Sequence, residues 1–232
     1  KGQKVVEAIQ AEGDEAMAIS ANVLDKQSLI DARMQILAKY GQIDLLINAA
    51  GGNHPNAITS NEESIQQTDG IDFFGLEESG FNHVFNLNFT GTFLPCQVFG
   101  EVLLNAEAPT IINISSMSGY TALTKVPAYS AAKSSIMNFT EWLAVHFAKE
   151  GLRVNAIAPG FFITEQNRSL LLDEKGNYTA RSKKILAATP MEKFGEPEQL
   201  LGALLFLADE TYSGFVTGTT IPVDGGFKSY SG

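Results

Sequence analysis

The chain carries one cysteine, Cys96, in 232 residues. That excludes an internal disulfide framework and fits a reducing compartment, so the expected location is the cytoplasm. No apolar run approaches the roughly 18 residues that cross a bilayer, and no signal-peptide pattern is visible. Positive charge is scarce: 16 Lys and Arg stand against 26 Asp and Glu, a formal charge of −10. This balance argues against nucleic acid as a partner and offers no basic arm to a membrane surface. The three histidines, His54, His83 and His146, lack metal-ligand spacing, and no metal is expected. Repeats, low-complexity tracts and a second domain are not in evidence.

What is present is 44% hydrophobic residues, enough for one substantial core, in stretches that alternate between strand-like and helix-like patterns. This predicts a single α/β domain with a parallel sheet. Lys1 to Ala11 reads as the end of an amphipathic helix closed by Gly13, and Ala16 to Ala21 as a strand ending at Asn22-Val23. Asp25 is placed to cap a helix that carries Leu29, Ile30, Ile36, Leu37 and Tyr40 and stops at Gly41. A buried-strand run, Ile43 to Ile47, leads into Asn48-Ala49-Ala50-Gly51-Gly52. Residues 53–79 are a long polar stretch with Asn53, His54, Asn61, Glu62, Glu63, Gln66, Gln67 and Asp69. Connections beyond about 12–15 residues tend to be functional, so this one is expected to be an insertion that covers a substrate. Phe81 to Leu104 reads as a long helix interrupted in pattern by Gly91 and Pro95, and Leu152 to Ala158 as another strand.

The chain is organised around residues 112–133. An apolar strand, Thr110 to Ile114, closes on Ser115-Ser116, and after a loop Tyr129 and Lys133 stand four residues apart on a predicted helix. That spacing puts phenol and ammonium on one helical face, an arrangement suited to proton transfer. A free phenol has a pKa near 10, and lowering it by about 3 units takes roughly 4 kcal/mol. One cation at about 4 Å and an effective dielectric of about 20 supplies a similar amount, so Lys133 is expected to draw the phenol down. Ser115 or Ser116, at a strand end, can hydrogen-bond a substrate oxygen and polarise it.

Together these words resemble the short-chain dehydrogenase/reductase family, over nearly the whole chain. The resemblance implies a Rossmann-like, doubly wound parallel sheet whose first strand, glycine-rich turn, helix and second strand lie upstream of Lys1. It implies Asn88, Ser116, Tyr129 and Lys133 as the catalytic set, Asn88 being carried by Asn88-Phe89-Thr90-Gly91. It also implies a nicotinamide cofactor held by Asn22, Val23, Asn48, Ala49, Ala50, Gly51, Tyr129 and Lys133. Contacts from Pro159, Gly160, Ile163 and Thr164, in Pro159-Gly160-Phe161-Phe162-Ile163-Thr164, complete that cofactor set. NAD is the expected form, with NADP left open because the discriminating segments lie upstream. The final segment, Thr219 to Val223 with Asp224-Gly225-Gly226, lies at a tetramer interface in relatives, so a homotetramer is expected.

Within the family, Gly51-Gly52-Asn53-His54-Pro55, the insertion, and Phe161 to Arg168 are similar to oxidoreductases of a sugar acid. A substrate of that kind needs polar groups for hydroxyls and a cation for its carboxylate. Asn53, His54, Gln166 and Asn167 are the expected hydroxyl partners, Arg168 or Lys125 the carboxylate partner, with Ser116 and Met117 beside the reacting carbon. Residues 165–188 are expected to form the substrate-binding helices. Another keto-sugar, a 3-oxoacyl group, or a non-catalytic cofactor-binding role on the same fold remain the alternatives.

Overall fold

The computed structural model describes residues 2–64, 70–165 and 167–230. Helix α1 (Gly2–Ala11) is followed by α2 (Lys26–Tyr40), where the Asp25 side chain accepts hydrogen bonds from the Gln27 and Ser28 amides and Gly41 closes the last turn. Then come β1 (Leu45–Asn48), α3 (Glu78–Phe85), α4 (Gly91–Leu103), β2 (Thr110–Ile114), α5 (Pro127–Phe147) and β3 (Arg153–Pro159). Four short or late helices, α6 (Arg168–Leu171), α7 (Ala180–Ala187), α8 (Leu201–Ala208) and α9 (Glu210–Ser213), precede β4 (Thr220–Val223).

The four strands pair in parallel in the order β1-β2-β3-β4, and helices cover both faces. Side chains alternate across the sheet, so each strand feeds two cores. On one face Leu46, Ile111 and Val154 pack with Cys96 and Leu103 of α4 and Leu143 and Ala144 of α5. On the other, Ile112, Ile157 and Ile221 meet Leu204 and Leu207 of α8. The expected doubly wound parallel architecture is therefore present in a single domain. All four strands end at the same edge, where Asn48, Ile114, Pro159 and Val223 open into loops, the place where such sheets bind ligands.

Two expectations about elements change. Ala16 to Ala21 is not a strand among the described residues, because no neighbouring strand takes up its backbone groups. Ile19 instead packs against the Leu29, Ala32, Val98 and Phe99 cluster between α2 and α4. The single long helix expected from Phe81 onward contains a widened π turn at Asn86–Thr90, which joins α3 to α4, and Pro95 is buried inside α4 without ending it. Such a turn inserts a residue into the helical ladder and is frequent at functional sites. Of the expected insertion, Gln66, Gln67 and Asp69 lie outside the described residues, as does Gln166.

Buried polar side chains tie the layers together. Asn48 donates to Asn113 Oδ1 at 2.9 Å and to Cys96 Sγ at 3.1 Å, and Asn113 donates to Thr140 Oγ1 of α5 at 2.9 Å. Arg153, 7% exposed, donates to the Leu207 carbonyl at 2.9 Å, to Ser213 Oγ at 2.9 Å and to Thr110 Oγ1 at 2.8 Å. It thus links β2 and β3 to α8 and α9. Arg153→Met fills similar space but leaves buried acceptors without a donor, and should cost roughly 3 kcal/mol. Urea unfolding should show a lower midpoint with an unchanged slope.

Candidate active site

The β2 strand delivers Ser115 and Ser116 to the carboxyl edge, and their roles separate there. Ser115 Oγ donates to the Lys133 carbonyl at 2.8 Å, which joins the strand end to α5. Ser116 is buried, its Oγ accepts from the Ser118 amide at 3.2 Å, and it hydrogen-bonds the Tyr129 hydroxyl. Met117 beside it is fully buried. Helix α5 starts at Pro127, so Tyr129 lies in its first turn, packed against Ala57, Val84 and Ala128.

Lys133 stands one turn further on, 5% exposed, with Nζ 5.6 Å from the centre of the Tyr129 ring. Nζ donates to the Ile114 carbonyl at 2.8 Å. Burial lowers the lysine pKa from 10.5 to about 8. The expectation that Lys133 draws the phenol down is not met. Burial pushes the Tyr129 pKa up from 10, and the Ser116 hydrogen bond opposes that only in part. Lys133 adds no lowering to set against that burial; its Nζ lies 5.6 Å from the ring centre and donates to the Ile114 carbonyl. The phenol therefore keeps its proton at neutral pH.

The π turn places Asn88, fully buried, facing the loop after β1. Its Nδ2 donates to the Gly52 and Val84 carbonyls, both at 2.7 Å, and its Oδ1 accepts from the Gly52 amide at 3.3 Å. Gly51 fits between this amide and the lysine. A Cβ built there would lie 2.6 Å from Asn88 Oδ1 and 3.4 Å from Lys133 Nζ. Tyr129, Lys133, Ser116 and Asn88 thus come together from α5, the β2 end and the π turn.

The other expected positions divide. Ala49, Ala50 and Gly51 form an exposed run of small side chains at the β1 edge, while the Asn48 side chain is committed to the buried Asn113 and Cys96 contacts. Val23 packs close to the start of α4, and Asn22 accepts from the Leu24 amide at 3.0 Å. Pro159 ends β3, and a Cβ at Gly160 would lie 2.6 Å from Asp224 Cα, so only glycine lets the two loops approach. Ile163 is half-buried and Thr164 exposed. Asn167 is not directed outward as expected. Its Nδ2 donates to the Phe162 carbonyl at 2.7 Å and its Oδ1 accepts from the Thr164 amide at 2.8 Å, bracing that loop. His54 Nδ1 accepts from the Asn56 amide at 3.2 Å and its ring tilts against His83, with Asn53 exposed beside it.

A cavity of about 460 Å³ lies between the Leu123–Val126 loop, Phe161 and α7. Arg168, expected to meet a carboxylate, is exposed and does not line it. Lys125 does, together with Arg181, Lys184 and Glu62. Arg181 and Lys184 escape sequence reading because bases on a short helix look like an ordinary solvated face. The nearest signal is the density of cations in Ala180–Ala187, where Arg181, Lys183 and Lys184 crowd one turn. A second cavity, about 690 Å³, is lined by Phe73, Phe74, Ser118 and Ser134 and shares Lys125 and Glu62 with the first; neither cavity is lined by Tyr129 or Lys133.

At the carboxyl edge the small side chains of Ala49, Ala50 and Gly51 are exposed and leave backbone accessible. Glycine at 51 is required by the close packing of that backbone on Asn88 and Lys133. Comparison with known proteins agrees. Residues 1–228 match the family described as enoyl-(acyl carrier protein) reductase. The chain is 62% identical over 232 residues to an uncharacterized oxidoreductase, UxuB, of Bacillus subtilis, covering 100% of this chain and 84% of that protein. A crystal structure from Haemophilus influenza with bound NAD, provisionally named a D-mannonate oxidoreductase, is 52% identical. It superposes with a TM-score of 0.94 over 98% of this chain and 82% of its own. A gluconate 5-dehydrogenase from Burkholderia cenocepacia, in complex with NADP and tartrate, is 27% identical. Its TM-score is 0.83, over 98% and 81% of the two chains.

Proposed function

Because the chain belongs to the short-chain dehydrogenase/reductase family of NAD(P)-dependent oxidoreductases, we propose that it interconverts the keto and hydroxy forms of a sugar acid, with D-fructuronate and D-mannonate as the pair. The observation that carries this reading is the Ser116–Tyr129–Lys133 constellation at the sheet edge, with a cation-lined cavity sharing the loop that leads into α5. The names of the Haemophilus and Burkholderia structures support the substrate class.

Bound at the carboxyl edge, a reduced nicotinamide supplies the hydride. Ala49, Ala50 and Gly51 on one side, and Gly160, Ile163 and Thr164 on the other, are the groups assigned to hold it. The ketone oxygen is assigned to the Ser116 hydroxyl and the Tyr129 phenol. As negative charge develops on that oxygen, Ser116 donates a hydrogen bond and Tyr129 transfers its proton. Raised by burial, the phenol stays protonated at neutral pH, so reduction finds its acid ready. Lys133, held by the Ile114 carbonyl, places its charge near the phenolate that remains. Asn88 keeps the Gly52 loop in register with both.

The test is initial-rate kinetics with NADH. D-Fructuronate should exceed neutral keto-hexoses in kcat/KM by at least about 30-fold, the equivalent of about 2 kcal/mol from a charge-assisted contact. Absence of turnover with fructuronate or mannonate, or faster reduction of a 3-oxoacyl thioester, overturns the substrate assignment. We also propose a homotetramer, the state the family resemblance implies; exposed Leu201, Leu205, Phe206 and Phe215 along and after α8 are apolar surface that a second copy would cover.

A further inference from the structure

The cavity beneath α7 carries an imbalance of charge in an otherwise acidic protein. Lys125, Arg181 and Lys184 line it, and Glu62 from the 53–79 stretch is the carboxylate among them. Glu62 forms an ion pair with Lys184 across 122 residues of sequence. That hydrogen bond, and then the charges of Lys184, Lys125 and Arg181, hold its carboxyl below the usual range. One acid thus sits in the field of three bases.

Lys125 is also conformationally fixed. Its φ is +71°, a region that residues other than glycine rarely adopt, and its carbonyl accepts from the Thr59 amide at 3.0 Å. This contact anchors the loop before α5 to the same stretch that carries Glu62. The exposed ion pair therefore bridges two elements, the stretch and α7, that flank a cavity large enough for a small-molecule ligand.

We propose that the Glu62 carboxylate occupies, within the protein itself, the seat of the substrate's carboxylate. An arriving sugar acid displaces Glu62 from Lys184 and is held by Lys184, Arg181 and Lys125. The inference rests on the sugar-acid reading above and names the residues that read the acid. An exposed ion pair contributes little to stability, so exchanging one carboxylate for another is easy, and the charge at the bases is conserved. Neutral sugars offer no group able to make the exchange, which turns the pair into a filter on charge. Arg181 presents a planar fork suited to a carboxylate, whereas Lys184 and Lys125 act as point charges.

The experiment is calorimetric titration of the protein, with NADH bound so that the hydroxy acid cannot be oxidised, using D-mannonate and the neutral alditol D-mannitol. Wild type should bind mannonate and show no heat with mannitol. Arg181→Met and Lys184→Met should each weaken mannonate by at least about tenfold, and raised salt should weaken wild type. Glu62→Gln should tighten mannonate by threefold or more, a gain that misfolding cannot imitate. If wild type binds mannonate but Glu62→Gln binds no more tightly, or the two basic variants change affinity by less than twofold, the seat is wrong and the sugar-acid reading stands. If wild type binds and turns over no sugar acid while it reduces neutral ketones, the sugar-acid reading falls and the seat falls with it.

Discussion

Tyr129→Phe is expected to lower turnover by at least about 100-fold, within the span of general acid–base catalysis. Phenylalanine keeps the ring against Ala57, Val84 and Ala128, so the first turn of α5 loses a hydroxyl and nothing else. Ser116 retains its contact with the Ser118 amide. Affinity for the cofactor, measured by fluorescence titration, should therefore move by less than about threefold while kcat collapses. Near-normal turnover in the variant would refute the assignment of Tyr129. The direction of the tyrosine pKa adds a second expectation. A phenol pushed up by burial holds its proton through the neutral range. Reduction should accordingly be insensitive to pH there, and oxidation of the hydroxy acid should quicken as the solution becomes alkaline.

Lys133→Met should also remove at least about 100-fold of turnover, because the phenolate left by proton transfer loses the cation beside it. This substitution has a signature that a merely structural change lacks. The lysine pKa is 10.5 when solvated and about 8 in the fold. Unfolding therefore takes up a proton between pH 8 and pH 10.5, and wild-type stability rises with pH across that window. Below it, the folded protein bears the cost of a buried ammonium, on the order of 3 kcal/mol. Methionine has no such term. The stability of wild type relative to Lys133→Met should climb by about that amount from pH 8 to pH 10.5, read from urea midpoints at each pH. A difference that stays flat would mean that the buried amine does not titrate in that window.

Much of the site is legible in the sequence because its residues lie within short, strongly patterned stretches. The apolar run of β2 ends on serines, and the four-residue spacing of Tyr129 and Lys133 survives any one-residue error in the helix start. What was not legible depended on distance. Nothing local distinguishes Ser115, which holds the Lys133 carbonyl, from Ser116, which meets the phenol. Asn48 and Asn167 carry side chains suited to a ligand, yet their hydrogen bonds are spent on Asn113 and on the Phe162 and Thr164 backbone. Proximity in sequence predicts that Lys133 lowers the phenol, but burial of the phenol, which the sequence does not show, sets the direction and pushes it up. Arg168 stands exposed outside the cavity, whereas Lys125, the other candidate for the carboxylate, lines it with Arg181 and Lys184, bases that chain folding brings there. Ala16 to Ala21 has a strand's composition, but a strand exists only by virtue of its neighbour.

Two of the asparagines inside the sheet, Asn48 and Asn113, bear on how the chain finds its own alignment. Six of the nine residues of β1 and β2 are apolar, among them Leu45, Leu46 and Ile47 opposite Thr110, Ile111 and Ile112. Hydrophobicity therefore constrains that alignment only weakly. Asn48 and Asn113 face each other as partners in the ladder, and their amides meet at 2.9 Å. Slide one strand by a residue and the two amides turn to opposite faces, each buried without the other. A greasy pair of ribbons, 65 residues apart in the chain, thereby acquires a single notch in which it can come to rest.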